Sequence, residues 1–222
     1  MHFPPVQIPP SILLGAFFLW MLTLLVAVRT GDWAALRAAP GRVHLIAGGA
    51  VACLLLWLLN IQLVDGLRLH FLGVTTLTLV VGWPFAILGG SLALMAFSLL
   101  LALPSEAWGL AALFTVILPA TLSRLLAWLI FRPDLKNPFV YILGAGFAGG
   151  ALVAGMLGLL AIPMFLVTGD GNLLDNALQG WPLIFLIMFS EGFINGMCIA
   201  ALAVFYPDAL KTFDDRFYFG DP

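Results

Sequence analysis

The sequence begins Met1-His2, a pairing whose atoms can close around one metal ion. A histidine at position two offers its imidazole Nδ1, its own backbone nitrogen once deprotonated, and the amine of the residue before it, all in small chelate rings. A second imidazole, from His70, would complete an all-nitrogen, tetragonal set. Such a set suits Ni(II) and Cu(II) above all, whereas Zn(II) prefers a tetrahedron. Taken singly, either histidine reads more readily as a hydrogen-bonded structural residue; together, with a primary amine beside one, they make a ligand set. His44, next to Arg42 at the inner end of a span, reads as an interfacial residue with nothing to coordinate. Prolines 4, 5, 9 and 10 hold the first ten residues extended, so that the segment can fold back into the molecule.

One acid stands inside an apolar run. Glu191, in SEGFINGM, is four residues before Asn195, so the two share a helical face and are placed to hydrogen-bond. An ionisable group within a membrane span is costly enough to be a functional hypothesis by default. Glu191 fits two roles equally well: polar support for a substrate site, or a hydrogen-bond anchor to another helix.

The elements that must position these groups are membrane helices. Of the residues, 63% are hydrophobic and 9% charged, which places the chain among integral membrane proteins. Seven apolar stretches read as spans: Ser11–Val28, Val43–Leu59, Phe71–Gly82, Phe85–Leu103, Leu110–Ile130, Phe139–Ile162 and Pro182–Phe205. The third is short, about 18 Å by helical rise, and ends at the turn signal Gly82-Trp83-Pro84. With the N-terminus outside and the C-terminus cytoplasmic, Arg29, Arg37, Arg42, Arg124, Arg132, Lys136, Lys211 and Arg216 fall inside and Arg68 alone outside, as the positive-inside rule asks. The expected fold is therefore all-α, a membrane bundle of about seven helices. Residues 1–206 form one transmembrane domain with the metal-binding segment 1–10 outside, and residues 207–222 form a short cytoplasmic tail. The absence of Lys and Arg before the first span argues against a secretory leader, so the mature chain is expected to begin at Met1.

Other chemistry is poorly served. Nine basic and eleven acidic residues argue against a nucleic-acid partner. Cys53 and Cys198 lie in separate apolar runs and read as small buried hydrophobes, neither a disulfide nor a metal pair. No HExxH, GxSxG or Walker motif is present, and the chain reads as neither an enzyme nor the holder of a resident cofactor. In the sixth span, Gly146, Gly150 and Ala154 stand at small-x-x-x-small spacing, which serves internal helix packing or the docking of a membrane partner.

The Met1-His2 start, the seven-span topology, LRLHFLGVTTLTLVVGWP around His70 and SEGFINGM around Glu191 together resemble the CbiM/NikM family. These are the substrate-binding membrane components of energy-coupling factor transporters for cobalt and nickel. The resemblance implies that the Met1 amine, the His2 backbone nitrogen and imidazole, and the His70 imidazole bind Ni2+ or Co2+, with Cu2+ as the rival. It also implies a separate transmembrane scaffold, two ABC ATPases that supply the drive, and residence in a bacterial inner membrane. Phe3-Pro4-Pro5 stands where the family usually has a glutamate and a glycine before a proline, GLRLH replaces a serine-rich stretch, and Asn195 replaces a threonine. The chain thus looks like a divergent branch. A membrane protein that keeps the fold without transporting, an assembly factor or structural subunit, is the alternative.

Overall fold

The computed structural model describes residues 8–64, 67–130, 137–168, 175 and 181–213. The first helix, α1 (Pro10–Thr30), starts at a proline whose fixed φ suits a first helical turn and whose missing N–H costs nothing there. A short α2 (Trp33–Ala38) follows, capped where the Asp32 side chain accepts from the Ala35 N–H at 3.0 Å. The second long helix is α3 (Gly41–Leu58). Strands β1 (Asn60–Val64) and β2 (Leu67–His70) then form an antiparallel hairpin that pairs Asn60 with His70 and Ile61 with Leu69. The hairpin is an addition to the expected all-helical chain, in the connection before the third span.

Next come α4 (Val74–Val81) and α5 (Trp83–Leu100), joined at Gly82, whose φ of +81° reverses the chain in one residue. The fifth membrane segment combines α6 (Trp108–Ala112), a π-helical turn (Leu113–Ile117) and α7 (Leu118–Ile130). The sixth combines α8 (Pro138–Val140), a π-helical stretch (Tyr141–Ala148) and α9 (Gly149–Thr168). The last long helix is α10 (Trp181–Phe205). Among the described residues, six segments are long and apolar enough to cross a membrane. The remaining pass is α4, which at eight residues rises only about 12 Å.

That short helix is the axis of the bundle. Seven of its eight residues are buried, so it has no lipid-facing side. By contrast α1, α3 and α10 expose Phe18, Leu22, Leu55, Phe185, Phe189 and Val204, the apolar surface a bilayer would cover. Between α1 and α5, the Trp20 indole donates to Ser91 Oγ at 3.0 Å, a buried polar tie. The sixth segment lies on α10 through glycines: a Cβ on Gly146 would stand 3.1 Å from Ile199 Cβ, and one on Gly150 would stand 3.0 Å from Asn195 Nδ2. The small-residue face therefore serves internal packing.

Behind α10, residues 207–213 turn back onto the bundle. The Lys211 N–H donates to Val80 O at 3.0 Å and Thr212 Oγ1 donates to Leu79 O at 2.9 Å, so this segment caps the C-terminal end of α4. Tyr141 and Thr212 share a 2.6 Å hydrogen bond between hydroxyls, and Leu210 and Phe213 are buried. One cavity brings together the end of α1, the α4–α5 turn, the end of α7, Tyr141 and Lys211. The chain ends that meet there define one end of the bundle, and His70 lies at the other.

Candidate functional site

His70 is the last residue of β2 and is buried against two aromatic rings, Trp57 at 5.8 Å and Phe97 at 6.0 Å between centroids. Its Nδ1 lies 3.1 Å from Phe71 O. A carbonyl only accepts, so in this contact Nδ1 is the protonated donor. Such a bond is how proteins orient a metal-ligating imidazole and select its tautomer. The next carbonyl, Leu72 O, accepts from the Trp57 indole at 2.9 Å, which holds α3 against the same strand end.

The backbone beyond His70 turns sharply into α4 and is held there by α10. Gly73, with φ of +65°, is the helix N-cap and has no side chain to cap with. Glu191 supplies the cap from a distance of more than a hundred residues. Its Oε2 accepts from the Leu72 N–H and its Oε1 from the Gly73 N–H, both at 2.8 Å. Asn195 continues the ladder, its Oδ1 accepting from the Thr76 N–H at 2.8 Å and the Thr76 hydroxyl at 2.7 Å. The Asn195 amide in turn donates to Glu191 Oε1 at 2.8 Å, the hydrogen bond that the four-residue spacing suggests. A carboxylate facing a helix N-terminus meets both its unsatisfied N–H groups and the positive end of its dipole.

A cavity of about 30 Å³ separates His70 from Glu191, walled by Leu72, Phe114, Ala154, Leu157 and Ile187. That is room for a water or a single ion. The hydrophobic cluster on this wall includes Leu72, Phe114 and Leu157 and also Ile8, which is buried. The start of the described chain thus packs beside the cavity.

Met1 and His2 lie outside the described residues, as do Arg132, Lys136 and Arg216. Of the candidate site residues, His70, Glu191 and Asn195 come together on one cavity and its rim, Asn195 joining through Glu191. Among the described residues no three His, Cys, Asp or Glu side chains are grouped to hold a metal. His44 is exposed on α3, away from this cluster. Cys53 is buried and Cys198 half-buried, both as free thiols, so only the first matches the fully buried hydrophobe expected. Asn60 donates to Trp57 O and Leu58 O and thereby finishes α3. Sequence reasoning missed the aromatic flanks Trp57 and Phe97 and the capped backbone at Leu72, Gly73 and Thr76. A glycine immediately before VTTLTLVV was the available signal for the cap.

Two solved structures share the fold. One, titled as a truncated transition metal transporter, superposes with a TM-score of 0.69 at 16% identity, covering 92% of this chain and 97% of its own. A second, titled as a transition metal transporter, gives 0.68 at 18% identity, covering 92% and 93%. A comparison with curated protein sequences finds no match. The pattern of the CbiM family, described as the cobalt uptake substrate-specific transmembrane region, matches residues 2–209. Strand β2, which ends at His70, and α10, which carries Glu191, both fall within that match, and the chain belongs to the CbiM family.

Proposed function

We propose that this chain is the substrate-binding membrane subunit of an energy-coupling factor transporter, taking up Ni2+ or Co2+, with Cu2+ as the rival ion. The ligands in this reading are the Met1 amine, the His2 backbone nitrogen and imidazole, and the His70 imidazole. The supporting observation is the meeting of two features at one cavity. His70 is pinned through Nδ1 beside it, and Ile8 belongs to the hydrophobic cluster that supplies part of its wall. Five residues lie between His2 and Ile8, six steps or about 20 Å of fully extended chain, so the amino terminus is within reach of His70. The CbiM family and the two transporter structures of the same fold agree with metal uptake. Glu191 acts in this reading as a positioning residue that fixes the turn after His70. In the proposed topology the His70 end faces outward, and ATP hydrolysis comes from partner ATPases in the bacterial inner membrane.

Metal analysis of the purified chain with its native terminus tests the reading. Stoichiometric nickel or cobalt is expected in the wild type and strong loss in His2→Ala and His70→Ala. A fusion ahead of Met1, which removes the primary amine, should abolish tight binding. Protons compete for amine and imidazole nitrogen, so binding should weaken as pH drops below about 6.5. Equal stoichiometric metal in the wild type and both histidine variants would refute the ligand set, whereas metal absent from all three would favour a protein that keeps the fold without carrying the ion.

A further inference from the structure

At the end of the bundle opposite His70 lies a second and much larger cavity, of about 700 Å³, whose lining, among the described residues, carries two cations and no carboxylate. Arg124 on α7 holds its guanidinium 5.8 Å over the Trp83 ring. Trp83 is itself fixed, its indole donating to Thr121 Oγ1 at 3.0 Å. Lys211 approaches from the segment that caps α4, its backbone tied to Val80 O. Both charges therefore extend from anchored backbone into the same space. Lys211 also borders a small crevice lined by Asp32, whose Oδ1 caps the Ala35 N–H, and by a further cation, Arg42.

The rest of the lining is amphipathic. Thr30, Thr212 and Tyr141 bring hydroxyls, while Val26, Ala127 and Trp128 bring apolar surface. Trp128 is 71% exposed and Val26 40%, so this wall opens sideways to where lipid lies. Tryptophan and tyrosine gather where headgroups meet hydrocarbon. Basic pockets between membrane helices at that level suit the phosphate of an anionic lipid.

We propose that this cavity binds a phosphate group carrying net negative charge, supplied by the headgroup of an anionic phospholipid and held by Arg124 and Lys211. The guanidinium, held over the Trp83 ring, offers paired N–H donors to phosphate oxygens, and the ammonium supplies a second charge. The apolar, laterally open wall accommodates glycerol and the upper acyl chain. This site is independent of the metal reading, since the two cavities share no lining residue among the described residues.

Native mass spectrometry of the full chain in detergent, titrated with phosphatidylglycerol or phosphatidylcholine, tests it. Each cation near the headgroup is expected to favour the anionic lipid about fivefold, and the two together roughly twenty-five-fold. Arg124→Gln and Lys211→Gln should each remove about one such factor, while Arg124→Lys keeps most of the preference. The single variants serve if the double variant fails to fold. Inorganic phosphate separates the sources. If it raises the melting temperature of the wild type and displaces phosphatidylglycerol, the site takes phosphate from solution and the lipid assignment is overturned. If it does neither while the lipid preference holds, the headgroup is the ligand. Equal retention of both lipids by the wild type, or an unchanged preference in Arg124→Gln and Lys211→Gln, overturns the site.

Discussion

Glu191 receives three N–H groups on two oxygens, from Leu72, Gly73 and Asn195. A carboxylate is suited to this because it presents acceptors only. A glutamine would have to turn its NH2 toward either Leu72 N–H or Gly73 N–H, leaving a donor facing a donor in a buried place. Glu191→Gln is therefore expected to cost about 1–3 kcal/mol of stability through the unsatisfied donor. The turn that carries His70 would loosen with it, and replacing an outer partner of a metal ligand typically lowers affinity by about 10- to 100-fold. Thermal melting and a competitive metal titration check both, and a variant equal to the wild type in each would show that the cap does not position His70. The Glu191–Asn195 pair was legible because both residues sit on one helix, four apart. Their targets were not, since the N–H groups of Leu72, Gly73 and Thr76 belong to a segment remote in sequence and carry no side-chain signature.

At the scale of elements, α4 is a short helix held at both ends by other parts of the chain. Glu191 and Asn195 hold its first turn, and Lys211 and Thr212 meet its last carbonyls. Eight residues in isolation are too few for a stable helix, so these ends and the burial of seven residues sustain it. Gly73 carries the reversal from the hairpin into α4. Gly73→Ala would impose the left-handed penalty of about 1–2 kcal/mol at φ of +65°. The added methyl would also stand 2.7 Å from Leu56 Cδ1, so that side chain must move. A lower melting temperature and weaker metal binding are expected together, because the same backbone carries His70; full retention of both would argue that the turn is adaptable. Apolar run lengths predict a third span from Phe71 to Gly82, whereas α4 runs from Val74 to Val81. The difference is physical: the backbone of Leu72 and Gly73 is spent on Glu191, and its hydrophobic side chains look the same in a turn as in a helix. The hairpin escaped for a related reason, since NIQLV and LRLH are too short to span and were read as connection.

For the whole molecule, six long segments and α4 bring Arg124 and Lys211 to one end and His70 to the other. Run length and glycine spacing made this architecture legible in advance, because a bilayer demands helices of fixed length and close helices demand small residues. Which end faces the cytoplasm is a separate matter, argued from charge: the basic residues crowd the tail end. Cysteine labelling tests it. In a background with Cys53 and Cys198 replaced, Glu106→Cys lies in the exposed turn after α5, and Asp208→Cys lies in the exposed turn after α10. A membrane-impermeant maleimide should modify Glu106→Cys in intact spheroplasts and reach Asp208→Cys only after lysis. The reverse pattern would put His70 on the cytoplasmic side. An ion would then meet that cavity only after crossing, so the chain could not be the receptor for uptake whatever its affinity for metal.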